Sequence, residues 1–246
     1  MKAVLITGAT SGIGRAAAEA LSRAGWWVMV AGRDEGRARE AVAALEGPGG
    51  HVVADLADDG APQRLVEATL AKAGSLDALV NNAGVHRLGT AAELEDADLD
   101  RLLAVNLRAA VRLAALAVRA MREAGGGVIV NVSSEAGLVA VPGQVAYNVT
   151  KAGLVMLTRC IAVDHAADGI RAISVCPGTT RTPLVDEAIR SAADPAAHEQ
   201  WLSSNRPAMR LGTPGEIAAA IVFAASEQAS FMTGTEIVVD GGYTAT

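Results

Sequence analysis

The chain has 246 residues, of which 51% are hydrophobic and 20% charged, with a formal net charge of −6 at pH 7. That composition supports a large buried core and excludes a disordered chain. The negative balance, with no basic run, argues against a nucleic-acid partner, whose phosphates it would repel.

The length suits one large α/β domain over residues 1–246 better than two small ones. Cys160 and Cys176 have no CxxC or Cys/His neighbourhood. Both therefore read as core thiols, with neither a disulfide framework nor a metal site expected. The first strand is expected from Lys2 or Ala3, which leaves no room for a signal peptide, and no apolar run approaches membrane-spanning length. A cytoplasmic protein without a membrane partner is the expectation.

Residues 2–7 form a short apolar run that ends in Thr7-Gly8-Ala9-Thr10-Ser11-Gly12-Ile13-Gly14, and residues 15–24 read as an Ala-rich helix stopped by Gly25. Strand, glycine turn and helix in that order let backbone amides approach a pyrophosphate at a helix N-terminus. Gly8, Ser11, Gly12, Ile13 and Gly14 are therefore candidate cofactor contacts. Residues 28–31 read as a second strand, followed by Gly32-Arg33-Asp34. An acidic side chain at this strand end would accept hydrogen bonds from an adenosine ribose, whereas an arginine pairs with a 2′-phosphate. Arg33 thus favours NADP(H), with NAD(H) as the alternative, and with a solvated arginine beginning a charged helix as the reading that gives it no cofactor role.

Residues 38–45 read as helix, Gly47-Pro48-Gly49-Gly50 as its break, and residues 51–54 as a third strand ending in Asp55-Leu56. His51 stands alone and receives no role. Residues 76–80 are a fourth strand leading into Asn81-Asn82-Ala83-Gly84, where amide side chains can bridge strand backbones and small residues let a cofactor lie close.

Residues 99–122 carry apolar side chains at three- and four-residue spacing and read as one or two long helices, with the polar Asn106 among them. Asn is disfavoured in a helix interior, so Asn106 either faces water or has a task. Gly125-Gly126-Gly127 ends that segment, residues 128–132 form a strand with Asn131 as its polar exception, and Ser133 and Ser134 stand at its end. Tyr147 follows Ser134 by thirteen residues, and Lys151 follows Tyr147 by four. At that spacing Tyr147 and Lys151 share a helix face. An ammonium beside a phenol favours the phenolate and brings a group that titrates near 10 towards working pH, which makes Tyr147 a candidate general acid/base.

Residues 170–176 read as the sixth strand, delivering Pro177-Gly178-Thr179-Thr180-Arg181-Thr182-Pro183. Residues 184–210 are the least periodic segment and read as a substrate lid or as a helical insert for subunit contacts. A further helix begins within 211–216, and residues 236–240 close the sheet.

The glycine turn has the spacing Gly-x-x-x-Gly-x-Gly and not Gly-x-Gly-x-x-Gly. Thr7 to Gly14, Asn81-Asn82-Ala83-Gly84, Ser134, Tyr147-x-x-x-Lys151 and Pro177-Gly178 occur in order across the whole chain. In this the sequence resembles the short-chain dehydrogenase/reductase family, and is similar to its 3-oxoacyl-ACP-reductase-like members. The resemblance implies a Rossmann-type, doubly wound parallel sheet of about seven strands with helices on both faces. It also implies NAD(P)(H)-dependent hydride transfer with a small-molecule carbonyl or secondary alcohol.

By the same resemblance, Ser134 hydrogen-bonds the reacting oxygen and Tyr147 gives or takes its proton. Lys151 lowers the Tyr147 pKa and holds the nicotinamide ribose, and Asn106 supports a water leading to solvent. Asp55 and Leu56 would lie beside the adenine, with Asn82, Ala83, Gly84, Pro177 and Gly178 along the cofactor. Thr180 would face the carboxamide and Thr182 the pyrophosphate. On residue chemistry alone Asp55 reads as a helix cap or turn residue.

A homotetramer is common in the family. Its carrier-protein reductases dock against basic residues, where this chain has Gly125 and Asp168, which weakens the 3-oxoacyl-ACP reading. A regulatory or scaffold protein that kept the fold but lost turnover is the other alternative. Loss of the Ser, Tyr or Lys would mark it, and all three are present.

Overall fold

The apolar runs become seven strands in the computed structural model, which describes residues 1–245. They are β1 (Ala3–Thr7), β2 (Trp27–Gly32), β3 (Gly49–Val53), β4 (Ala78–Asn81), β5 (Gly127–Val132), β6 (Ile170–Pro177) and β7 (Thr235–Val239). All pair in parallel, in the order β3-β2-β1-β4-β5-β6-β7. Parallel neighbours need crossover connections, and helices supply them: α1 (Gly12–Arg23), α2 (Glu35–Ala43), α3 (Ala61–Ala73), α4 (Asp96–Leu102), α5 (Ala109–Ala124), α6 (Val145–His165), α7 (Pro183–Arg190), α8 (Pro195–Ser204) and α9 (Pro214–Ala225).

Strand alternation divides the core between the two faces of the sheet. Val4, Ile6, Val128 and Val130 point to one side, where Ala17, Ala18 and Leu21 of α1 meet Ile217, Ala218 and Ile221 of α9. Leu5 and Ile129, one residue out of phase, point to the other, against Leu65 of α3 and Leu113, Ala117 and Met121 of α5. The central strands are buried on both faces, which is why they read as continuous apolar runs.

Several boundaries depart from the expectations. Gly49 and Gly50 are not the helix break but the start of β3, because Gly49 pairs with Val28 of β2. A Cβ there would come within 2.6 Å of both the Leu45 side chain and the Val28 carbonyl oxygen, so only glycine allows the approach. Helix α2 begins at Glu35, three residues early, because the Asp34 carboxylate caps it by accepting the Arg37 N–H at 2.8 Å. Helix α3 has no counterpart among the predicted elements; Pro62 sits in its first turn and Gly74 ends it. The aperiodic 184–210 segment contains two helices, each started by a side-chain cap and a proline: Thr182-Pro183 for α7 and Asp194-Pro195 for α8.

Cys176 is buried, but Cys160 is exposed on α6, contrary to its reading as a core thiol. Its neighbours in sequence are apolar, yet its position shares the outer face of α6 with Val149, Met156 and Val163, the last 81% exposed. No helix of the described residues is long and apolar enough to cross a membrane.

Candidate active site

The sheet order reverses at β1, with β2 on one side and β4 on the other. The βα connections diverge there and leave a crevice at the carboxyl ends of the strands. A cleft of about 980 Å³ occupies that position. It is lined along its length by the β1–α1 turn, the ends of β2 and β3, the 82–88 loop, the Ser134 loop, α6 and the 177–185 segment.

At the centre, two turns are fastened together. The Thr7 hydroxyl accepts the backbone N–H groups of Asn82 and Ala83, both at 3.0 Å. In return the Asn82 amide donates to the carbonyls of Thr7 at 2.9 Å and Gly8 at 3.3 Å. Gly8 and Gly12 have φ of +65° and +52°, left-handed values that favour glycine. Gly14 is needed for space, since a Cβ there would overlap the Gly8 carbonyl and the Asn82 amide. The Ser11 side chain makes no capping bond, and the first turn of α1 holds no acidic residue. These features fit an anionic diphosphate: the helix N-terminus is open on the cleft side and no carboxylate opposes it.

At one end of the cleft, Gly32 leaves no room for a side chain, because its Cβ would run into the Thr10 methyl group. Arg33 is exposed on the rim, and Arg37 from the first turn of α2 lines the same end. Arg37 was not among the expected cofactor contacts. Asp55 accepts from Ala57 N–H at 2.9 Å, as a turn residue does, and pairs with Arg101 of α4 at 3.1 Å. Burial raises its pKa, but the Ala57 N–H and the Arg101 guanidinium outweigh it and hold the carboxyl below its ordinary value. Leu56 lines the wall beside it.

The other end holds Ser134, Tyr147 and Lys151, brought together from the end of β5 and the start of α6. Ser134 Oγ accepts from Ala136 N–H at 3.1 Å and is hydrogen-bonded to the Tyr147 phenol. Lys151 is buried; its ammonium donates to the Val132 carbonyl at 2.9 Å and lies 5.6 Å from the centre of the Tyr147 ring. Ser133 holds α6 from below, donating to the Lys151 carbonyl at 2.8 Å.

The electrostatics correct the expectation for Tyr147. Burial pushes the phenol up to about 12, and the Ser134 hydrogen bond does not offset it, while the nearby Glu135 charge raises it further. Burial also brings Lys151 down to about 8, so its ammonium is itself disfavoured and is directed at the Val132 carbonyl. Spacing placed the two groups together correctly but did not reveal that desolvation dominates both.

Asn106 sits in a π-helical stretch, Leu103–Arg108, between α4 and α5. Wide turns of this kind occur where a side chain is placed for a purpose. Here the Asn106 amide pairs with both backbone groups of Val85, accepting from its N–H at 2.8 Å and donating to its carbonyl at 2.9 Å. It also reaches Thr150 Oγ1 at 3.3 Å. Asn106 thereby positions the loop after Gly84, and a Cβ on Gly84 would lie 3.5 Å from Asn106 Oδ1 and 3.6 Å from Lys151 Nζ.

Pro177, Gly178, Thr180 and Thr182 line the cleft after β6. The Thr180 hydroxyl donates to the Gly178 carbonyl at 2.9 Å, and Thr182 caps α7, accepting from Val185 N–H at 3.4 Å.

Three groups at this end have no place in the motif reading. The His86 ring meets Tyr147 edge-on, with centroids 4.8 Å apart, and its Nε2 lies 2.6 Å from Gln144 Oε1. Glu135 is buried immediately after Ser134, and its carboxyl is pushed up to about 7 by burial despite the Arg206 guanidinium. A carboxylate directly after an apolar strand end was a readable signal. Its partner, 71 residues away, was not.

Residues 8–244 match the family described as enoyl-(acyl carrier protein) reductase. The chain is 42% identical over 245 residues to an uncharacterised oxidoreductase of Thermotoga maritima, covering 99% of this chain and 98% of that one. It is 39% identical over 247 residues to the cis-4-hydroxycyclohexanecarboxylate dehydrogenase of Sinomonas cyclohexanicum, covering 99% and 97%. A solved structure of a short-chain dehydrogenase/reductase family protein superposes with a TM-score of 0.89 at 36% identity, covering 100% of this chain and 98% of that one.

Proposed function

The chain is an enzyme of the short-chain dehydrogenase/reductase family, nicotinamide-dependent oxidoreductases of alcohols and ketones, and we propose that Ser134, Tyr147, Lys151 and Asn106 carry out its chemistry. The observation that carries this reading is the convergence of the Ser134 hydroxyl, the Tyr147 phenol and the Lys151 ammonium at one end of the cleft whose centre is the glycine turn.

The residues present fit a dinucleotide. Gly8, Ser11, Gly12, Ile13 and Gly14 would hold the diphosphate, with Thr182 facing Gly12 across the cleft. Asp55 and Leu56 would flank the adenine, and Asn82, Ala83 and Gly84 would pass beneath the middle. Lys151 would hold the nicotinamide ribose, and Pro177, Gly178 and Thr180 its carboxamide. The bound nicotinamide supplies or accepts the hydride. Tyr147 gives its proton to the carbonyl oxygen in reduction and takes it back in oxidation, while Ser134 fixes that oxygen by a hydrogen bond. A phenol held near 12 is protonated at neutral pH, the form that donates to a carbonyl oxygen, while the cofactor ratio decides the direction.

NADP(H) is the favoured cofactor. Arg33 and Arg37 supply two guanidinium groups for a 2′-phosphate, and the absence of a side chain at Gly32 removes the carboxylate an unphosphorylated ribose would use. The test is oxidation of NADPH and NADH across a panel of ketones. We expect kcat/KM to favour NADPH at least tenfold, and Arg33→Asp to reverse the order. Equal use of both by the wild type would overturn the phosphate assignment without touching the reaction.

The 184–210 segment serves as the substrate lid, since Leu184, Val185, Trp201 and Leu202 line the cleft mouth. A cytoplasmic homotetramer is the proposed assembly, with the apolar outer face of α6 as one contact. A carrier-borne 3-oxoacyl thioester is disfavoured, because the positions that would dock the carrier are Gly125 and Asp168, and Asp168 is turned to His165 at 2.9 Å.

A further inference from the structure

The substrate half of the cleft, beyond Tyr147, is walled by Leu88, Val141, Pro142, Leu184, Trp201 and Leu202. Among the described residues, the guanidinium and ammonium groups that line the cleft are Arg33, Arg37, Arg101 and Lys151. The first three stand at the opposite end, beside Gly32 and Asp55, and Lys151 is buried against the Val132 carbonyl. The substrate half itself carries two imidazoles. His86 directs Nε2 to Gln144, and His198 is stacked on Trp201 with centroids 5.8 Å apart.

A further cation, Arg206, lies just behind this wall, but it is spent. It follows α8, is 3% exposed, and donates to Glu135 Oε2 at 3.4 Å, to Thr179 Oγ1 at 2.7 Å and to the Asp240 carbonyl at 3.3 Å. Further bonds go to the Leu202 carbonyl and the Asn205 side chain, and the Tyr243 ring stacks on the guanidinium at 5.4 Å. Gly178 is pinned at the centre of this cluster, since a Cβ there would meet Arg206, Asp240 and Glu135 within 2.6 to 2.7 Å. The cluster therefore cannot open without moving the turn after β6. Of this cluster, Glu135 lines the cleft, with Thr179 and Tyr243 beside it.

Building on the alcohol/ketone reading above, we propose that the substrate is a neutral alcohol or ketone with an apolar body and no carboxylate, sulfonate or phosphate, and that Glu135, locked by Arg206, is the specificity residue that rejects an anionic handle. A negative group in the substrate half would lose its hydration, meet no free cation and face a carboxylate. Two negative charges in a partly dry cleft repel, and a neutral ligand of the same shape escapes that cost while keeping the apolar contacts. The His86–Gln144 pair remains able to bind a second neutral oxygen, such as a keto or hydroxyl group. The charged groups facing Glu135 are Arg206 after α8, Asp240 after β7 and, in its ionised form, Tyr147 of α6. Asp240 is held below its ordinary value, despite burial, by the Thr244 hydroxyl and the Thr244 and Gly242 N–H groups. With Glu135 ionised the cluster is thus net negative.

The test is calorimetric titration of the enzyme, saturated with reduced cofactor, whose nicotinamide ring is neutral, with cyclohexanecarboxylate and with its neutral methyl ester at pH 8. We expect the ester to bind at least tenfold tighter. The gap should narrow severalfold at pH 6, where Glu135 protonates, and in Glu135→Gln at pH 8; in that variant the pH effect should vanish. Equal or tighter binding of the carboxylate would overturn the proposal, as would failure of the ester to bind at millimolar concentration. A pH effect that survives in Glu135→Gln would assign the discrimination to His86 or His198 and overturn the role of Glu135. If that variant does not fold, the wild-type ligand pair still decides the substrate class. Ester-selective binding without Tyr147-dependent turnover would sink the reaction reading and leave the specificity standing. Turnover of carboxylate-bearing alcohols in preference to neutral ones would do the reverse.

Discussion

At the scale of single residues, the site is governed by burial more than by neighbouring charge. The i, i+4 spacing of Tyr147 and Lys151 was enough to place a phenol and an amine on one face of a helix. It could not show that both would be desolvated, which moves Tyr147 to about 12 and Lys151 to about 8. One consequence is directional. Alcohol oxidation, which needs the phenolate as base, should rise with pH between 6 and 9, whereas ketone reduction, which needs the phenol, should not; initial rates in both directions check this.

Glu135 carries a separate prediction. Its carboxyl lies at about 7 in the folded chain, against an ordinary 4.5. The folded state therefore holds a proton that the unfolded state has released, so this residue's contribution to stability is full below pH 4.5 and is lost as pH rises through 7. The shift corresponds to about 3 kcal/mol. Denaturant unfolding of wild type and Glu135→Gln at pH 4.5 and 7.5 should give a difference that changes by about that amount. A constant difference would contradict it.

At the scale of elements, the legible features were those whose cause is local. β1, its glycine turn and α1 follow one another without a break from Ala3 to Arg23, and the structure adds the reason for each glycine. Gly14→Ala would force the new methyl against the Gly8 carbonyl and the Asn82 amide. We expect a loss of about 1–3 kcal/mol of stability and at least tenfold weaker cofactor binding, read by thermal unfolding and by fluorescence titration with NADPH. The π-helical stretch was not legible, since nothing in residues 99–122 marks a change from α to wider turns. Its purpose emerges only with Val85, 21 residues away, whose two backbone groups are satisfied by Asn106. Asn106→Ala leaves both of these part-buried groups without that partner, at a cost of about 1–3 kcal/mol. Amide exchange of Val85 should accelerate accordingly. The start of β3 was misplaced for the opposite reason: glycines that look like a break are required by packing against β2.

At the scale of the whole molecule, the parallel doubly wound sheet was legible because its strands are continuous apolar runs separated by crossover-length segments. The Glu135–Arg206–Asp240 cluster was not, because it joins the Ser134 loop, the end of α8 and the tail after β7, which only the finished fold brings together. Assembly belongs to this scale too. Val149, Met156 and Val163 repeat every seven residues along the exposed face of α6, as a helix-packing seam does. Light scattering should give the mass of four 25.0 kDa chains. Val163→Glu should reduce it; an unchanged tetramer would place the contact elsewhere.

The account rests most heavily on Tyr147 as the proton donor, and the most direct measurement compares wild type with Tyr147→Phe in NADPH-dependent reduction of a neutral ketone. The phenyl ring keeps the edge contact with His86 and removes only the hydroxyl. We predict that kcat falls by roughly a hundredfold to ten-thousandfold while the NADPH dissociation constant stays within about twofold, since Lys151 and the glycine turn are untouched. Equal kcat in the two proteins would contradict the assignment and move the acid/base chemistry to another group in the cleft.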